Sequence, residues 1–392
     1  MKTTVKTTLT SVAVGILAAA AACPAQSIFR LPVSYSVGDG PTGLAIEDFN
    51  GDGRSDIAVA DTDGRTVSLL YRLSNGGYSS PQNYGVGNGP NRLVTADFNY
   101  DGLPDLVVAN GGQSDVMLMY GSAGGGFAAP ISISIGAAPR SIITTDFNKD
   151  GLPDVATANS ESNSVSVLYG QAGGGLGGRV DYAVGRDPWG LATADFNRDG
   201  RPDLVTSNRD DSSLSVLYGH AGGLAERTDL ATDSYAQDVT IGDFNRDGVD
   251  DLAAATNGAP GARLNIFYGA PSGQFGTHLD LAGPSRPIRL AVSDFDLDGI
   301  PDIAAVIDSG SNLLTVWRGL AGGGFGPYET YAAPGYPHGL AVADVDGNGW
   351  PDVVLTNYYR DTVSIYLNAA PEPATLSLLA LGGLVVLRHK RR

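Results

Sequence analysis

Oxygen-bearing side chains recur along this chain at one fixed spacing. Seven nine-residue stretches read Asp, an apolar residue, Asn or Asp, any residue, Asp or Asn, Gly, two further residues and Asp. At positions 1, 3, 5 and 9 the first copy carries Asp48, Asn50, Asp52 and Asp56, and the second Asp97, Asn99, Asp101 and Asp105. The third has Asp146, Asn148, Asp150 and Asp154, the fourth Asp195, Asn197, Asp199 and Asp203. Asp243, Asn245, Asp247 and Asp251 follow, then Asp294, Asp296, Asp298 and Asp302, and finally Asp344, Asp346, Asn348 and Asp352. Four such side chains and a backbone carbonyl near position 7 supply six or seven hard oxygen ligands, which suits Ca2+. Position 7 varies from Arg54 to Leu103 to Trp350, as expected if only its carbonyl serves. Gly at position 6 in every copy permits the positive φ that curls such a loop. An EF-hand would place Glu at position 12, where this chain has Val59, Val108, Thr157, Thr206, Ala254, Ala305 and Leu355. The expected cofactor is Ca2+, one ion per loop.

The loops begin 49, 49, 49, 48, 51 and 50 residues apart. So steady a period means one supersecondary unit repeated. In the fourth unit, Gly190 to Ala194 reads as a short strand and Leu204 to Ser207 as a nearly continuous apolar, buried one. Leu214 to Tyr218 alternates as a half-buried strand does, and a turn at Gly222 and Gly223 leads to a fourth strand ending near Leu230. Four strands per unit, seven units and no helical periodicity predict an all-β fold, a seven-bladed β-propeller over residues 27–368. Pro104, Pro153, Pro202, Pro301 and Pro351 stand at loop position 8, where a strand starts and no N–H is yet needed. The seventh unit stops after Val363–Leu367 without an outer strand, while an orphan strand, Phe29 to Val37, precedes the first. The N-terminal strand is therefore expected to close the last blade.

Both ends read as processing segments. Residues 1–25 form a signal peptide: Lys2 and Lys6 precede an apolar run from Val12 to Ala22 too short to span a membrane. Cleavage after Ala25 competes with a lipoprotein-like reading, in which Ala20-Ala21-Ala22-Cys23 leaves Cys23 acylated. Cys23 is the single cysteine, so no intramolecular disulfide forms. Residues 369–392 contain Pro371-Glu372-Pro373, an apolar segment 374–387 and a basic end 388–392. That order resembles the PEP-CTERM sorting tail of bacterial exported proteins. The resemblance implies transient membrane association, processing by signal peptidase and exosortase, and delivery to the cell surface or extracellular matrix. Without the charges at both ends the chain keeps 19 basic and 41 acidic residues, a net of −22. Of these acids 22 are loop Asp, so the acidity reads as metal ligation and argues against nucleic acid as a partner.

The repeat itself resembles the FG-GAP/VCBS family, which includes the integrin α-chain propeller. The loop motif, the preceding Pro-x-x-Leu/Ile segment (Pro90 to Leu93, Pro139 to Ile142) and the following Gly-Gly-Gly-Phe turn (Gly124 to Phe127, Gly322 to Phe325) carry the likeness. It implies calcium ligands at positions 1, 3, 5 and 9 and a binding role toward proteins or sugars. Val345, Asn348 and Asp250 depart from the pattern, and Asn348 lowers the charge of the seventh site.

Catalytic chemistry is sparse. His220, His278, His338 and His389 stand in unrelated settings, and no Gly-x-Ser-x-Gly or His-Glu-x-x-His motif occurs. Variation concentrates six residues before each loop, at Thr42, Asn91, Arg140, Trp189, Gln237, Ile288 and His338, within a nearly constant frame. These seven are expected to ring the channel on the face opposite the loops and to form a ligand surface, Trp189 stacking on a sugar. The expected function is non-catalytic binding of a glycan or a surface protein, as in adhesion. The alternatives are a polysaccharide lyase or hydrolase, suggested by Tyr336, His338, Tyr358, Tyr359 and Arg360, and a purely structural matrix protein.

Overall fold

The computed structural model describes residues 27–258 and 263–369. The signal peptide, Cys23 and the sorting tail from residue 370 onward lie outside the described residues. The described strands form seven separate four-stranded antiparallel sheets. Blade one runs from the axis outward as Pro41–Glu47, Asp56–Asp61, Thr66–Leu70 and Gln82–Gly85. Five more blades repeat that order. Each inner strand packs against the next, and Pro337–Ala343 of blade seven packs against Pro41–Glu47 of blade one, so the sheets form a closed ring. All-β, seven blades, four strands each: the architecture is that of a β-propeller.

The second strand is buried along its whole length in every blade, which explains its unbroken apolar reading. Between blades, the aromatic at loop position 2 seals the joint. Phe49, Phe98, Phe147, Phe196, Phe244 and Phe295 are all buried. Each reaches the following blade: Phe49 meets Phe127 edge-on at 5.4 Å and Phe196 meets Phe275 at 5.3 Å. Such pairs add about 0.5–1.5 kcal/mol beyond their burial.

Blade seven takes its outer strand from the start of the chain. Val33–Ser36 pairs antiparallel with Thr362–Tyr366, Val33 opposite Ile365. That strand is shorter than the expected span from Phe29 to Val37. Phe29 instead makes an isolated bridge to Asn368, and the Arg30 N–H donates to the Leu367 carbonyl at 2.9 Å. Phe29 then packs on Phe295 of blade six at 5.5 Å, the role that Phe127 plays toward Phe49. The first segment thus supplies both the missing strand and the missing interblade aromatic.

In several blades the last residue of the second strand holds a polar clasp. In blades three, four and seven this residue is Asn159, Asn208 or Asn357, whose Nδ2 donates to two hydroxyls on the third strand. Blade one has Asp61 there instead. Its Oδ2 accepts from Ser68 and Thr66, while Oδ1 is buried without a partner. Burial pushes this carboxyl up to about 6. A raised carboxyl binds its proton more tightly in the folded state, so its stabilisation is complete below the unfolded value and fades as pH rises through about 6. Asp61→Asn is expected to raise stability at pH 7 to 8 by about 1–3 kcal/mol and to leave it unchanged near pH 3.5. Denaturant titrations of both proteins across that range check the sign; a mutant less stable at pH 7 would contradict it.

Candidate functional site

Two sites lie at opposite ends of the inner strands. Each inner strand has seven residues in all blades, about 20 Å of chain at strand rise. The acidic loop leaves one end, and the seven variable residues sit at the other.

In the fourth loop, Asp195 accepts the N–H groups of Asp199 and Gly200 at 3.0 and 2.7 Å. Asn197 Oδ1 accepts the Asp199 N–H, and Asp199 Oδ1 accepts that of Arg201. These bonds wrap the backbone round the oxygens, and the same set recurs in the other loops with small variations. Gly at position 6 has φ between 80 and 86° in all seven. Position 4 is also left-handed throughout, though only Gly51 and Gly347 are glycines there; Tyr100, Lys149, Arg198, Arg246 and Leu297 carry the strain. Sequence reading assigned position 4 no role.

Position 9 has a structural job. Asp56, Asp105, Asp154, Asp203, Asp251, Asp302 and Asp352 are at most 1% exposed. In each, one oxygen accepts the N–H of loop position 2 and the other accepts an N–H at or just past the end of the third strand; for Asp203 these are Phe196 at 2.9 Å and Gly219 at 2.7 Å. Each such Asp staples its loop to its blade. Burial pushes Asp56, Asp154, Asp203, Asp251 and Asp352 up to about 6 and Asp302 to about 7. A carboxylate oxygen keeps a further lone pair after one hydrogen bond, so the staple leaves room for ligation.

The donor sets fit a hard divalent cation. Asp294, Asp296 and Asp302 each place an oxygen within 4.8 Å of the other two, as do Asp344, Asp346 and Asp352. Asp296 Oδ1 is buried there without a hydrogen-bond partner, which is the state of an atom that awaits a cation. A third group, Asp233, His278 and Asp280, lies beside blade five with the imidazole Nε2 3.1 and 3.5 Å from the two carboxylates.

At the other end, the seven variable residues begin the inner strands around the axis. Thr42 Oγ1 lies 3.2 Å from the Pro90 carbonyl, and Asn91 Nδ2 donates to the Pro139 carbonyl at 3.1 Å, each reaching the next blade. The Arg140 guanidinium lies over the Trp189 ring at 5.2 Å. Trp189, Gln237, Ile288 and His338 line one cavity of about 180 Å³, together with Arg209, Arg286, Arg289, Asp308 and Tyr336. Exposure differs around the ring: Thr42, Gln237 and Ile288 are buried, while Asn91, Arg140, Trp189 and His338 are half-buried. Trp189 is not an open plate. Arg209 also lies over its ring, at 5.1 Å, and its Nε1 donates to Asp187. Exposed aromatic surface comes instead from Tyr359 and Tyr235, with Tyr336 and Tyr358 packed beside Tyr359.

The charges at the axis sit one residue further along the same strands. Gly43, Arg92, Ser141, Gly190, Asp238, Arg289 and Gly339 occupy that place. Arg92 of blade two comes within 3.9 Å of Asp238 of blade five, so the side chains meet across the ring. Gly190 makes space for Asp238, since a Cβ there would stand 2.4 Å from its carboxylate. Asp238 also accepts the Leu290 N–H at 3.0 Å. The signal was present in the sequence, two Arg and an Asp where three copies have Gly, but single-chain reading does not show that these positions converge. His338 is held neutral: burial first, then Arg289, Arg92 and Arg140, push it well below its ordinary value.

A closed ring of four-stranded blades, each opened by an Asx-rich loop, defines a seven-bladed β-propeller with metal-type loops. The chain belongs to the FG-GAP-like repeat family, which matches residues 48–108, 97–157, 146–206, 195–254, 243–305 and 294–355. A search of curated proteins returned no match. Among solved structures, BBS1N in complex with ARL6DN superposes with a TM-score of 0.62 at 12% identity, covering 88% of this chain and 98% of that one. A functionally unknown protein from Desulfotomaculum acetoxidans gives 0.53 at 15% identity over 82% and 91% of the two chains. A protein from Lactobacillus plantarum gives 0.57 at 14% over 75% and 85%. At these identities the likeness concerns the fold alone.

Proposed function

We propose that this protein is an exported, calcium-stabilised propeller that binds a glycan without catalysis, through the mouth of the ring opposite the acidic loops. The observation that carries the reading is the cavity at that mouth. Variable residues from four successive blades converge on it, while the frame that holds them scarcely varies. Exposed tyrosines beside it offer flat apolar faces, and the guanidinium groups offer hydrogen bonds, the mixture that carbohydrate recognition needs. The signal-like start and the tail resembling PEP-CTERM support export to the surface or matrix, with exosortase and signal peptidase as processing partners. A surface protein is the alternative ligand.

An enzyme acting on polysaccharide is the rival reading, favoured by Tyr336 and His338 lining the same cavity. Neither is set up as a base at neutral pH. Burial and the Asp308 carboxylate raise Tyr336 to about 12, and His338 is a weak base for the reasons above.

A glycan array followed by a depolymerisation assay separates the two. Tyr359→Ala combined with Arg140→Ala is expected to weaken binding about tenfold or more, with the melting temperature within about 2 °C of the parent. Unchanged affinity in the double variant would remove this face from consideration, and product release from a bound polysaccharide would make the protein an enzyme.

A further inference from the structure

The charges at the mouth do not balance. Arg209 pairs with Asp187 at 3.2 Å and Arg286 with Asp308 at 3.3 Å. Arg92 is set against Asp238. Arg289 enters no ion pair among the described residues: its Nη1 donates to its neighbour's carbonyl, at Ile288, and its Nε is buried with no hydrogen bond. The residue is 5% exposed, yet it lines the cavity. A guanidinium stripped of water and left without an ion pair is unfavourable. Burial, then Arg92 and Arg140, push Arg289 down to about 9; Asp238 opposes them but is already set against Arg92. A positive pole has therefore been built inside a chain whose formal charge is −17.

We propose that this cavity is a carboxylate subsite, in which the open edge of Arg289 takes the carboxylate of a uronate residue in an acidic polysaccharide. The inference rests on the glycan-binding reading and narrows it to a chemical class. A planar guanidinium matches a planar carboxylate with two parallel hydrogen bonds, which a lysine could not offer. One carboxylate also brings one charge to a buried guanidinium that makes no ion pair among the described residues. The cavity, about 180 Å³, falls below the roughly 300–1,000 Å³ of pockets that engulf drug-sized ligands, so it suits a single charged sugar unit whose neighbours extend over the rim. Tyr359, 72% exposed, and Tyr235, 48% exposed, stand ready for those neighbours.

Calorimetric titration of the full chain, in fixed excess calcium, with trigalacturonate, its methyl ester and inorganic sulfate tests the proposal. The acid is expected to bind, the uncharged ester about tenfold or more weakly. Arg289→Met is expected to abolish the preference for acid over ester. Its melting temperature should hold or rise, because a buried cation that makes no ion pair has been removed; a structural role would lower it. If that variant does not fold, Arg289→Lys keeps the charge, loses the fork and should weaken the acid selectively. Acid and ester bound alike would overturn the carboxylate subsite and leave the glycan surface standing. Sulfate bound as tightly as the trimer would mean a site for free inorganic anions and overturn the saccharide. Binding of neither sugar, with neutral glycans captured on the array, would sink the subsite alone; no capture of any glycan would sink both.

Discussion

Chelation of calcium is expected to lower the melting temperature by at least about 10 °C. Each site saturated a hundredfold above its dissociation constant adds about 2.7 kcal/mol to the folded state. With unfolding entropy near 2.1 cal/mol/K per residue, 1 kcal/mol is about 1.5 °C in a fold of this size, so a few occupied loops suffice. Removal also exposes the mutual repulsion of three or four carboxyl groups per loop, of which the tightest clusters are those around Asp296 and Asp346. The two roles of the loop residues separate by mutation. If the loop binds calcium, Asp199→Ala should cost stability in calcium and almost nothing in chelator, because apart from the ion its oxygens serve only an exposed turn. Asp203→Ala should cost about 2–4 kcal/mol in both, because it strands the buried N–H groups of Phe196 and Gly219. Differential scanning calorimetry after exhaustive dialysis against EDTA decides the matter. A melting temperature indifferent to calcium would end the metal reading, whatever the loops resemble.

Ring closure carries the second large effect. Removing residues 29–37 takes away the outer strand of blade seven and leaves Thr362–Tyr366 as a bare sheet edge. It also uncovers Phe295, Tyr331 and Tyr366, against which the Phe29 ring packs edge-on. The truncated chain is expected to aggregate on expression. Phe29→Ala, a milder cut, should cost about 3–5 kcal/mol, seen as a fall of roughly 5–7 °C in the melting temperature. A soluble truncated protein with the parent's melting temperature would show that the ring closes by some other means.

Much of this is legible in the sequence. Seven copies of Asp-x-Asx-x-Asx-Gly set the number of blades, and the unbroken apolar stretch after each loop marked the strand that the structure buries completely. The orphan segment after residue 27 and the missing strand after residue 367 could only belong together. These features are local or periodic, and repetition multiplies a weak signal until it is decisive. The loop staple was half visible. Position 9 was read as a ligand, but its grip on the N–H at the end of the third strand depends on a hairpin bringing residues 16 to 18 places apart together.

The sequence alone thus determined the fold, the acidic loops and the variable position at each strand's start, because all three repeat with the chain. Tertiary structure alone decided what that variation amounts to. It set two guanidinium groups over Trp189, which a sequence presents as a free plate for sugar. It brought Arg92 and Asp238 within 3.9 Å although 146 residues separate them, and left the Nε of Arg289 buried without a hydrogen bond. The physical reason is that the axis is the one place where all blades meet. Charge balance there is a sum over residues from different repeats, and no single repeat contains it.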